Sequence, residues 1–277
     1  MDSILLVNPP SEFLLDQKVF PPLGVLTVAA ELRRLGVEVE VLDLAGREDY
    51  LGALARWLGS HHYPKGDFGI TANTPQMPYV YRILQMIRDY RPGAKVIIGG
   101  PHASFAPQHC LKLGFSQVVM DDGVDGIRQV VAGKEDKLIK GGLISLDEYP
   151  MPARDLIDFD SYKYILPGTY ALATNVMWSQ GCPYRCSFCS GRELLFYRKY
   201  RTRSPEHILA ELDHLRDTYG IRAFQAYDDE VNIHRDHFDA LCTALAEGGW
   251  TWRAFIKSNL FTEDQAKLAA RSGAAQF

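Results

Sequence analysis

The stretch KVIIGGPHASFAPQHCLKLGFSQVVMDDG, residues 95–123, decides the fold class. Two apolar runs, at 95–100 and 115–120, are separated by a segment long enough for a short helix. Short apolar runs bounded by glycine, proline and acidic residues are typical of buried strands. A strand, a helix and a second strand in this order form a parallel crossover unit, so the stretch predicts an α/β protein.

The same alternation extends towards the N-terminus. Three further strand-like segments precede the stretch, at 3–8, 37–44 and 67–74. The segments between them place apolar residues on one helical face, at Val25, Val28, Ala29, Leu32, Val80, Ile83, Leu84 and Ile87. Five β–α repeats with short connections predict a doubly wound, five-stranded parallel sheet of the Rossmann or flavodoxin-like type over residues 1–133.

The loops that follow these strands are the candidate ligand site, because ligands of such sheets bind outside the carboxyl ends of the strands. They are rich in glycine, proline and small hydroxyl residues, and they lie at 8–10, 71–74, 99–102 and 121–126. Such residues let a ligand approach the backbone closely. Spacing alone leaves the ligand unknown, and for any single loop an ordinary turn is the simpler interpretation.

Residues 134–172 lose the periodic pattern and contain three prolines, which predicts an ordered connector. The alternation then resumes over residues 173–277. Strand-like segments lie at 173–180, 222–227 and 251–257, each with a helical pattern after it, and 274–277 opens a fourth strand. The second half is therefore predicted to contain about three β–α units.

Composition excludes several classes of protein. The chain has 277 residues, 47% of them apolar, and a net charge of −4 without a basic cluster that would indicate a nucleic-acid surface. No run of residues is long and apolar enough to predict a membrane span. The first ten residues lack the basic region and cleavage site of a signal peptide, so we expect a cytoplasmic protein.

Three of the five cysteines lie in the segment GCPYRCSFCSG, residues 181–191. Cys182, Cys186 and Cys189 can all point into the centre of one loop, which is the geometry that ligation of an iron–sulfur cluster needs. Three ligands leave one iron of a four-iron cluster open to a substrate. A zinc site or plain buried thiols are the alternatives, but no nearby cysteine or histidine pair supplies the fourth ligand of zinc.

Charged residues at strand ends are further candidates, because such positions carry the sites of β–α barrels. Asp228, Asp229 and Glu230 follow the strand at 222–227, although a solvated helix cap is an equally good interpretation for one or two of them. Lys257 ends the next strand, where it either binds a carboxylate or extends its ammonium group into solvent.

Other singled-out residues have simpler interpretations. The basic stretch RKYRTR, at 198–203, is expected to be a solvated surface, and His61 and His62 are expected in a surface loop. His102 lies beside two glycines and could face a ligand. Cys242 lies on the apolar face of a predicted helix, so we expect a core residue, and Cys110 is expected to take no part in a cluster.

The motif CPYRCSFC resembles that of the radical S-adenosylmethionine (SAM) superfamily. The segments PPLGVLTVAAELRRLGVEVEVLDL, ITANTPQMPYVYRIL and KVIIGGPHAS resemble the N-terminal module of its cobalamin-binding branch, and SPEHILAELDHLRDTYGIRAFQAYDDEVN resembles the stretch after its cysteine motif. The resemblance implies that residues 173–277 form the first three units of a partial TIM-type barrel. It also implies that the chain is truncated within this core.

The resemblance implies three cofactors: a [4Fe–4S] cluster, SAM and cobalamin. The reduced cluster of such enzymes cleaves SAM to a 5′-deoxyadenosyl radical, and methylcobalamin commonly delivers a methyl group to a substrate carbon. Alternatives are a radical rearrangement or cyclisation without methyl transfer, and a corrinoid or iron–sulfur carrier module without turnover. The implied partners are an unidentified substrate and an external electron donor such as flavodoxin or ferredoxin.

The resemblance also implies residue roles. Phe188 would lie near the adenine of SAM, with Asp228 or Asp229 near its amino group and Lys257 nearby. The implied cobalamin contacts are Pro9, Pro10, Leu23, Gly24, Thr71, Thr74, Gly99, Gly100, His102, Asp122 and Gly123. Two departures bear on them. No Asp-x-His-x-x-Gly motif is present to supply a histidine ligand to cobalt, and the loop at 121–126 has DDGVDG where many relatives have Gly-Glu-Gly-Glu.

Overall fold

The computed structural model describes residues 1–60 and 66–277, so the predicted loop histidines, His61 and His62, lie outside the described residues. The chain divides into two compact units. The first comprises Met1–Lys18, Pro22–Ile144 and Tyr149–Phe159, and the second comprises Val19–Pro21, Ser145–Glu148 and Asp160–Phe277. The predicted domain limits at 133 and 172 stay a sequence-based proposal. Among the described helices, none is both long and apolar enough to cross a bilayer.

The first unit is built on one parallel sheet with the strand order β2-β1-β3-β4-β5-β6. Its strands are β1 (Ser3–Asn8), β2 (Glu38–Asp43), β3 (Asp67–Thr71), β4 (Val96–Gly99), β5 (Gln117–Asp121) and β6 (Leu138–Gly141). Its helices are α1 (Leu23–Arg34), α2 (Tyr50–Ser60), α3 (Met77–Tyr90), α4 (Pro101–Phe105), α5 (Pro107–Lys112) and α6 (Gly123–Val131). The doubly wound α/β prediction is confirmed.

The predicted number of strands needs a correction, because this sheet has six strands and not five. The sixth strand, β6, lies in the segment that we predicted as a connector. It is only four residues long, and it pairs parallel to β5 with Val119 opposite Ile139. Ile139 is fully buried, whereas Lys140 is exposed at the edge of the sheet. So short a run, with a lysine in it, carries too little periodicity to be recognised.

Apolar side chains cover both faces of this sheet, as expected for parallel strands. One cluster joins β1 and β3 to α2 and α3, with Leu54 and Ile83 fully buried. The other joins the opposite face to α1 and α6, with Leu26 and Ile127 buried. The sheet is thereby fixed between helices, and its loops at the carboxyl ends of the strands form one edge.

The second unit contains a five-stranded sheet with the order β13-β12-β11-β8-β7, and a two-stranded ladder of β9 and β10. The strands are β7 (Tyr164–Ile165), β8 (Leu172–Val176), β9 (Ser179–Gln180), β10 (Arg201–Thr202), β11 (Ala223–Ala226), β12 (Thr251–Arg253) and β13 (Ala274–Gln276). The helices are α7 (Pro205–Tyr219), α8 (Arg235–Leu245) and α9 (Glu263–Arg271). The predicted β–α units and the opening of a fourth strand are present.

Candidate active site

The cysteine-rich segment forms a loop whose two ends are held together. β9 and β10 pair antiparallel, with Gln180 opposite Arg201. Just beyond this ladder, the amide of Arg203 donates to the carbonyl of Trp178 at 2.8 Å. Residues 181–200 are therefore closed at their base, and we call this segment the cysteine loop.

A buried ion pair anchors the end of the cysteine loop. The Nη1 group of Arg203 lies 2.5 Å from Oε2 of Glu211 in α7, and both side chains are almost fully buried. The same nitrogen donates to the carbonyl of Met177 at 3.0 Å. The sequence predicts a solvated surface at 198–203, and the buried side chain of Arg203 contradicts that prediction. A buried guanidinium needs a charged partner, and Glu211 supplies it.

The three cysteines lie within the cysteine loop as free, partly buried thiols. The amide of Cys189 donates to the carbonyl of Cys186 at 3.1 Å, so the second half of the motif forms a tight turn. The amide of Cys182 donates to the carbonyl of Tyr197 at 2.9 Å. This bond ties the first cysteine to the returning arm of the loop.

Two glycines let Tyr197 pack closely against the cysteine loop. Gly181 has φ +91°, and a Cβ there would lie 2.4 Å from the carbonyl oxygen of Tyr197. A Cβ on Gly191 would lie 2.2 Å from the ring of the same tyrosine. Any larger residue at either position would push the returning arm away. Tyr197 therefore fixes both ends of the cysteine motif. The sequence around Tyr197 does not indicate this role.

The donor set fits an iron–sulfur cluster better than a single metal ion. In the part of the chain that the structure describes, no three His, Cys, Asp or Glu side chains come close enough to hold one ion. A four-iron cluster binds each thiolate on a different iron, so its ligands lie farther apart than those of zinc. Three free, partly buried thiols within one closed loop, at sequence spacings of four and three residues, are the kind of donor set that such a cluster takes.

Asp228 follows β11 but does not face an open site. It is 6% exposed, and its carboxylate accepts hydrogen bonds from the amide of Trp178 at 3.1 Å and from the hydroxyl of Ser179 at 2.7 Å. The amide of Ser179 also donates to it. Burial raises the pKa of Asp228 to about 7, although these hydrogen bonds oppose the rise. The carboxylate holds the start of the cysteine loop against the end of β11.

Asp229 lies on the exposed side of the same strand end, beside the cysteine loop. Burial raises the pKa of Tyr197, and a hydrogen bond between its side chain and Asp229 raises it further. Burial also raises the pKa of the Cys182 thiol, and the negative charges of Asp229 and Glu230 contribute to that rise. These two acids therefore lie near the first cysteine.

Lys257 is brought to the same place by the segment after β12, which ends at Arg253 and is thus shorter than the predicted strand at 251–257. Its Nζ lies 4.1 Å from the ring centre of Tyr184, which belongs to the cysteine loop. Asn232 holds the lysine backbone, donating to its carbonyl at 3.1 Å and accepting from its amide at 2.8 Å. Asn232 is a positioning residue that we did not predict.

Glu230 completes this group of charges. Burial raises its pKa, and the positive charge of Lys257 acts in the opposite direction. Its Oε2 is buried without a hydrogen-bond partner. A carboxylate oxygen in that state favours a donor such as an ammonium group. In the sequence, the acidic run DDE at 228–230 indicates that a carboxylate lies here.

Phe188, by contrast, is 90% exposed, and its contact with adenine stays a prediction.

The candidate cobalamin edge lies in the first unit, where β1 is placed between β2 and β3. Such a reversal of strand order marks the ligand crevice of doubly wound sheets. Gln76 ties the two loops at this point together, because its side-chain amide donates to the carbonyl of Pro9 at 3.1 Å and to the hydroxyl of Ser11 at 2.7 Å. Pro9 and Pro10 are buried, so they shape the loop.

His102 is engaged within the protein. Its Nδ1 lies 3.0 Å from the hydroxyl of Thr74, and its Nε2 lies 3.0 Å from Nδ1 of His109. Burial lowers its pKa, which favours the neutral ring. Both ring nitrogens are thus occupied. The protein offers no free electron pair to a metal at this residue.

Several of the remaining cobalamin candidates also have internal partners. Gly100 has φ +93°, and a Cβ there would lie 2.9 Å from the carbonyl oxygen of Ala72, so this glycine serves the packing of two loops. The Asp122 carboxylate caps α6 and accepts from the hydroxyl of Tyr149 at 2.6 Å. Gly100 is itself partly exposed, and the other partly or fully exposed candidates are Leu23, Gly24, Thr71, Thr74, Gly99 and Gly123.

The chain is similar to known proteins along almost its whole length. Residues 17–131 match the family model of the B12 binding domain, and residues 176–277 match that of the radical SAM superfamily. The chain is 27% identical to the uncharacterized methyltransferase PH0819 of Pyrococcus horikoshii, covering 98% of this chain and 63% of that protein. It is 23% identical to the anaerobic magnesium-protoporphyrin IX monomethyl ester cyclase of Synechocystis, covering 87% of this chain and 52% of the cyclase.

A solved structure shares the fold. The radical SAM methyltransferase TsrM of Kitasatospora setae, with cobalamin and a [4Fe-4S] cluster bound, matches 99% of this chain and 59% of its own with a TM-score of 0.75 and 19% identity. The chain spans between about half and two thirds of the length of these proteins. With a B12 binding domain followed by a radical SAM domain, this chain belongs to the cobalamin-binding branch of the radical SAM superfamily.

Proposed function

We propose that this chain provides the cobalamin-binding and cluster-binding parts of a radical SAM enzyme that methylates an unactivated carbon. The observation that carries the proposal is the closed cysteine loop, in which Cys182, Cys186 and Cys189 are free and partly buried. When bound, the cluster and cobalamin supply the reductive cleavage of SAM and the methyl group, respectively.

The chain's own residues bind and orient these groups. The three thiolates would hold the cluster, and Tyr197 with its two glycine contacts would fix the loop that presents it. Asp229, Glu230 and Lys257 form a group of charges beside Cys182, suited to the amino and carboxylate groups of SAM. Asp228 is proposed to act indirectly, by holding the loop, instead of touching the amino group.

In the first unit, exposed backbone and hydroxyl groups at the carboxyl ends of the strands would hold cobalamin. The proposed contacts are Thr71, Thr74, Leu23, Gly24, Gly99 and Gly123, which lie at or after the ends of β1, β3, β4 and β5. His102 would support the loop without binding cobalt, because both of its ring nitrogens already have partners. The proposed external electron donor, a flavodoxin or ferredoxin, would reduce the cluster.

A second candidate function is cyclisation or rearrangement without methyl transfer. It is favoured by the similarity to the magnesium-protoporphyrin cyclase of Synechocystis. A carrier module without turnover is the third candidate. The similarity to two proteins named as methyltransferases favours methylation over both.

Anaerobic incubation with cobalamin, a reductant and SAM labelled in its methyl group separates these functions. Production of 5′-deoxyadenosine together with label on bound cobalamin is the result that methylation predicts. Formation of 5′-deoxyadenosine without label on cobalamin would favour cyclisation. Cofactor binding without SAM cleavage would favour the carrier.

A further inference from the structure

One face of the second sheet is covered by helices. Phe224 of β11 and Trp252 of β12 are directly paired and fully buried. Their rings are stacked, and Phe238 of α8 packs against the ring of Trp252 with centroids 6.5 Å apart. The indole nitrogen of Trp252 donates to the carbonyl of Ser272, which follows α9, at 3.0 Å. These side chains mark the helix face.

The opposite face carries a polar row. Side chains of successive residues in a strand point to opposite faces, and paired residues of neighbouring strands share a face. Gln225 follows Phe224, and it pairs with Asn175 of β8 on one side and with Arg253 of β12 on the other. Asn175, Gln225 and Arg253 therefore lie side by side across three strands, opposite the helices.

Arg253 brings a positive charge to this row without a carboxylate beside it. Its Nη1 donates to the hydroxyl of Tyr164 in β7 at 2.8 Å. Its Nε is buried and has no hydrogen-bond partner, and no ion pair joins it to an acid within residues 1–60 and 66–277. The residue as a whole is partly exposed, and a guanidinium whose Nε is buried without a partner favours an anion beside it. It presents a planar set of donors that matches a carboxylate or phosphate.

Aromatic rings adjoin the guanidinium. Phe20 packs on Tyr164 with centroids 4.5 Å apart and on Tyr227 with centroids 5.3 Å apart. Phe255 lies two residues beyond Arg253, and its ring centre is 5.6 Å from the guanidinium carbon. Tyr227 and Phe255 are 56% and 53% exposed at the carboxyl edge of the sheet. Exposed rings beside a charge suit a ligand with an apolar body.

We propose that Arg253 binds a carboxylate or phosphate group of the enzyme's substrate, and that Tyr227 and Phe255 contact its apolar body. This rests on the proposed function, because it assigns the substrate class of that enzyme. SAM also carries a carboxylate that a guanidinium could bind. The proposed function assigns that carboxylate to the charged residues beside Cys182, so we assign the anion at Arg253 to the substrate.

The test uses the cluster-reconstituted protein with 3-phenylpropionate as the anionic probe and 3-phenylpropionamide as its neutral counterpart. Ligand-observed NMR titration measures both affinities. The native protein is expected to bind the acid about tenfold or more tightly than the amide, as loss of a charge-assisted hydrogen bond predicts. Arg253→Met is expected to abolish that preference and Arg253→Lys to retain part of it. Arg271→Met, on the exposed end of α9, is the matched control and should retain all of it.

Calorimetric titration of SAM into the same variants tests the other source of the anion. Arg253→Met should bind SAM within about twofold of the native protein. A tenfold loss of SAM affinity with no effect on the acid probe would assign the residue to SAM and overturn the proposal. Equal binding of acid and amide by the native protein, or no saturable binding of the acid at millimolar concentration, would also overturn it. If Arg253→Met does not fold, the graded effect of Arg253→Lys decides.

Iron analysis keeps the two proposals separate. A chain that binds no iron would refute the proposed function, yet the preference for the acid probe could still be measured. Normal iron content without that preference would refute the role of Arg253 alone.

Discussion

The hydroxyl of Ser179 donates to the carboxylate of Asp228 at 2.7 Å, which joins the strand before the cysteine loop to the end of β11. Asp228 is buried, and burial raises its pKa from 3.8 to about 7. The folded chain therefore binds more protons than the unfolded chain between these pH values. Its stability should fall as pH rises through this window and level off above about pH 7.

Asp228→Asn should remove this pH dependence, because an amide does not titrate in this range. The native slope should be at most about 1.4 kcal/mol per pH unit. Denaturant unfolding of the cluster-free chain at about pH 5 and about pH 8 measures it. If the free energy of unfolding changes by the same amount between these two pH values in the native protein and in the variant, the raised pKa is assigned to the wrong carboxyl.

The five cysteines should divide into two classes. Ala substitution of Cys182, Cys186 or Cys189 should abolish most cluster iron after anaerobic reconstitution. Cys110→Ala and Cys242→Ala should retain it, because both thiols are fully buried and burial raises their pKa to about 11 and about 12, which disfavours the thiolate that binds iron. Full iron in Cys186→Ala, or its loss in Cys242→Ala, would show that the ligands are assigned wrongly.

Cobalamin should bind without a protein imidazole on cobalt. Both ring nitrogens of His102 are occupied by Thr74 and His109. The electron paramagnetic resonance spectrum of the cob(II)alamin form should lack nitrogen splitting from a protein histidine, and His102→Gln should leave that spectrum unchanged. Splitting that disappears in His102→Gln would identify the residue as the axial ligand and refute this expectation.

Gly181→Ala should impair the cysteine loop. The added Cβ would lie 2.4 Å from the carbonyl oxygen of Tyr197, which accepts from the amide of Cys182. Overpacking of this kind costs about 1–3 kcal/mol. We expect iron incorporation to fall to less than about half, since the loop loses its closed form.

Gly220→Ala is the matched control. Gly220 also has a positive φ, of +68°, but no atom lies within 4 Å of the added Cβ. The Gly220→Ala variant should lose only about 1–2 kcal/mol of folding stability, because alanine is disfavoured in left-handed backbone, and it should retain iron. Equal iron losses in both alanine variants would show that backbone strain, and not contact with Tyr197, is responsible.

The sequence is sufficient to predict the α/β class because the strands of both units are apolar runs separated by helical patterns. It fails at β6 and β7, whose four and two residues are defined by pairing with a neighbouring strand instead of by their own pattern. Partner-dependent elements of this length carry no periodic signal.

At the site, the sequence indicates the cysteines and the acids after β11, but not which acid faces the loop. Asp228 and Asp229 are adjacent and chemically identical. Only the fold shows that one is buried under Ser179 while the other lies beside Cys182. The sequence does not indicate the roles of Asn232 and Arg253 for the same reason, since these roles depend on residues far away in the chain.

The central claim is that Cys182, Cys186 and Cys189 hold a four-iron cluster with one iron open to SAM. Electron paramagnetic resonance of the reduced, reconstituted protein tests it most directly, with the spectrum recorded before and after addition of SAM. The account predicts the signal of a reduced four-iron cluster, with g-values that shift when SAM is added. A signal that SAM leaves unchanged, or a chain that retains no iron, would contradict it.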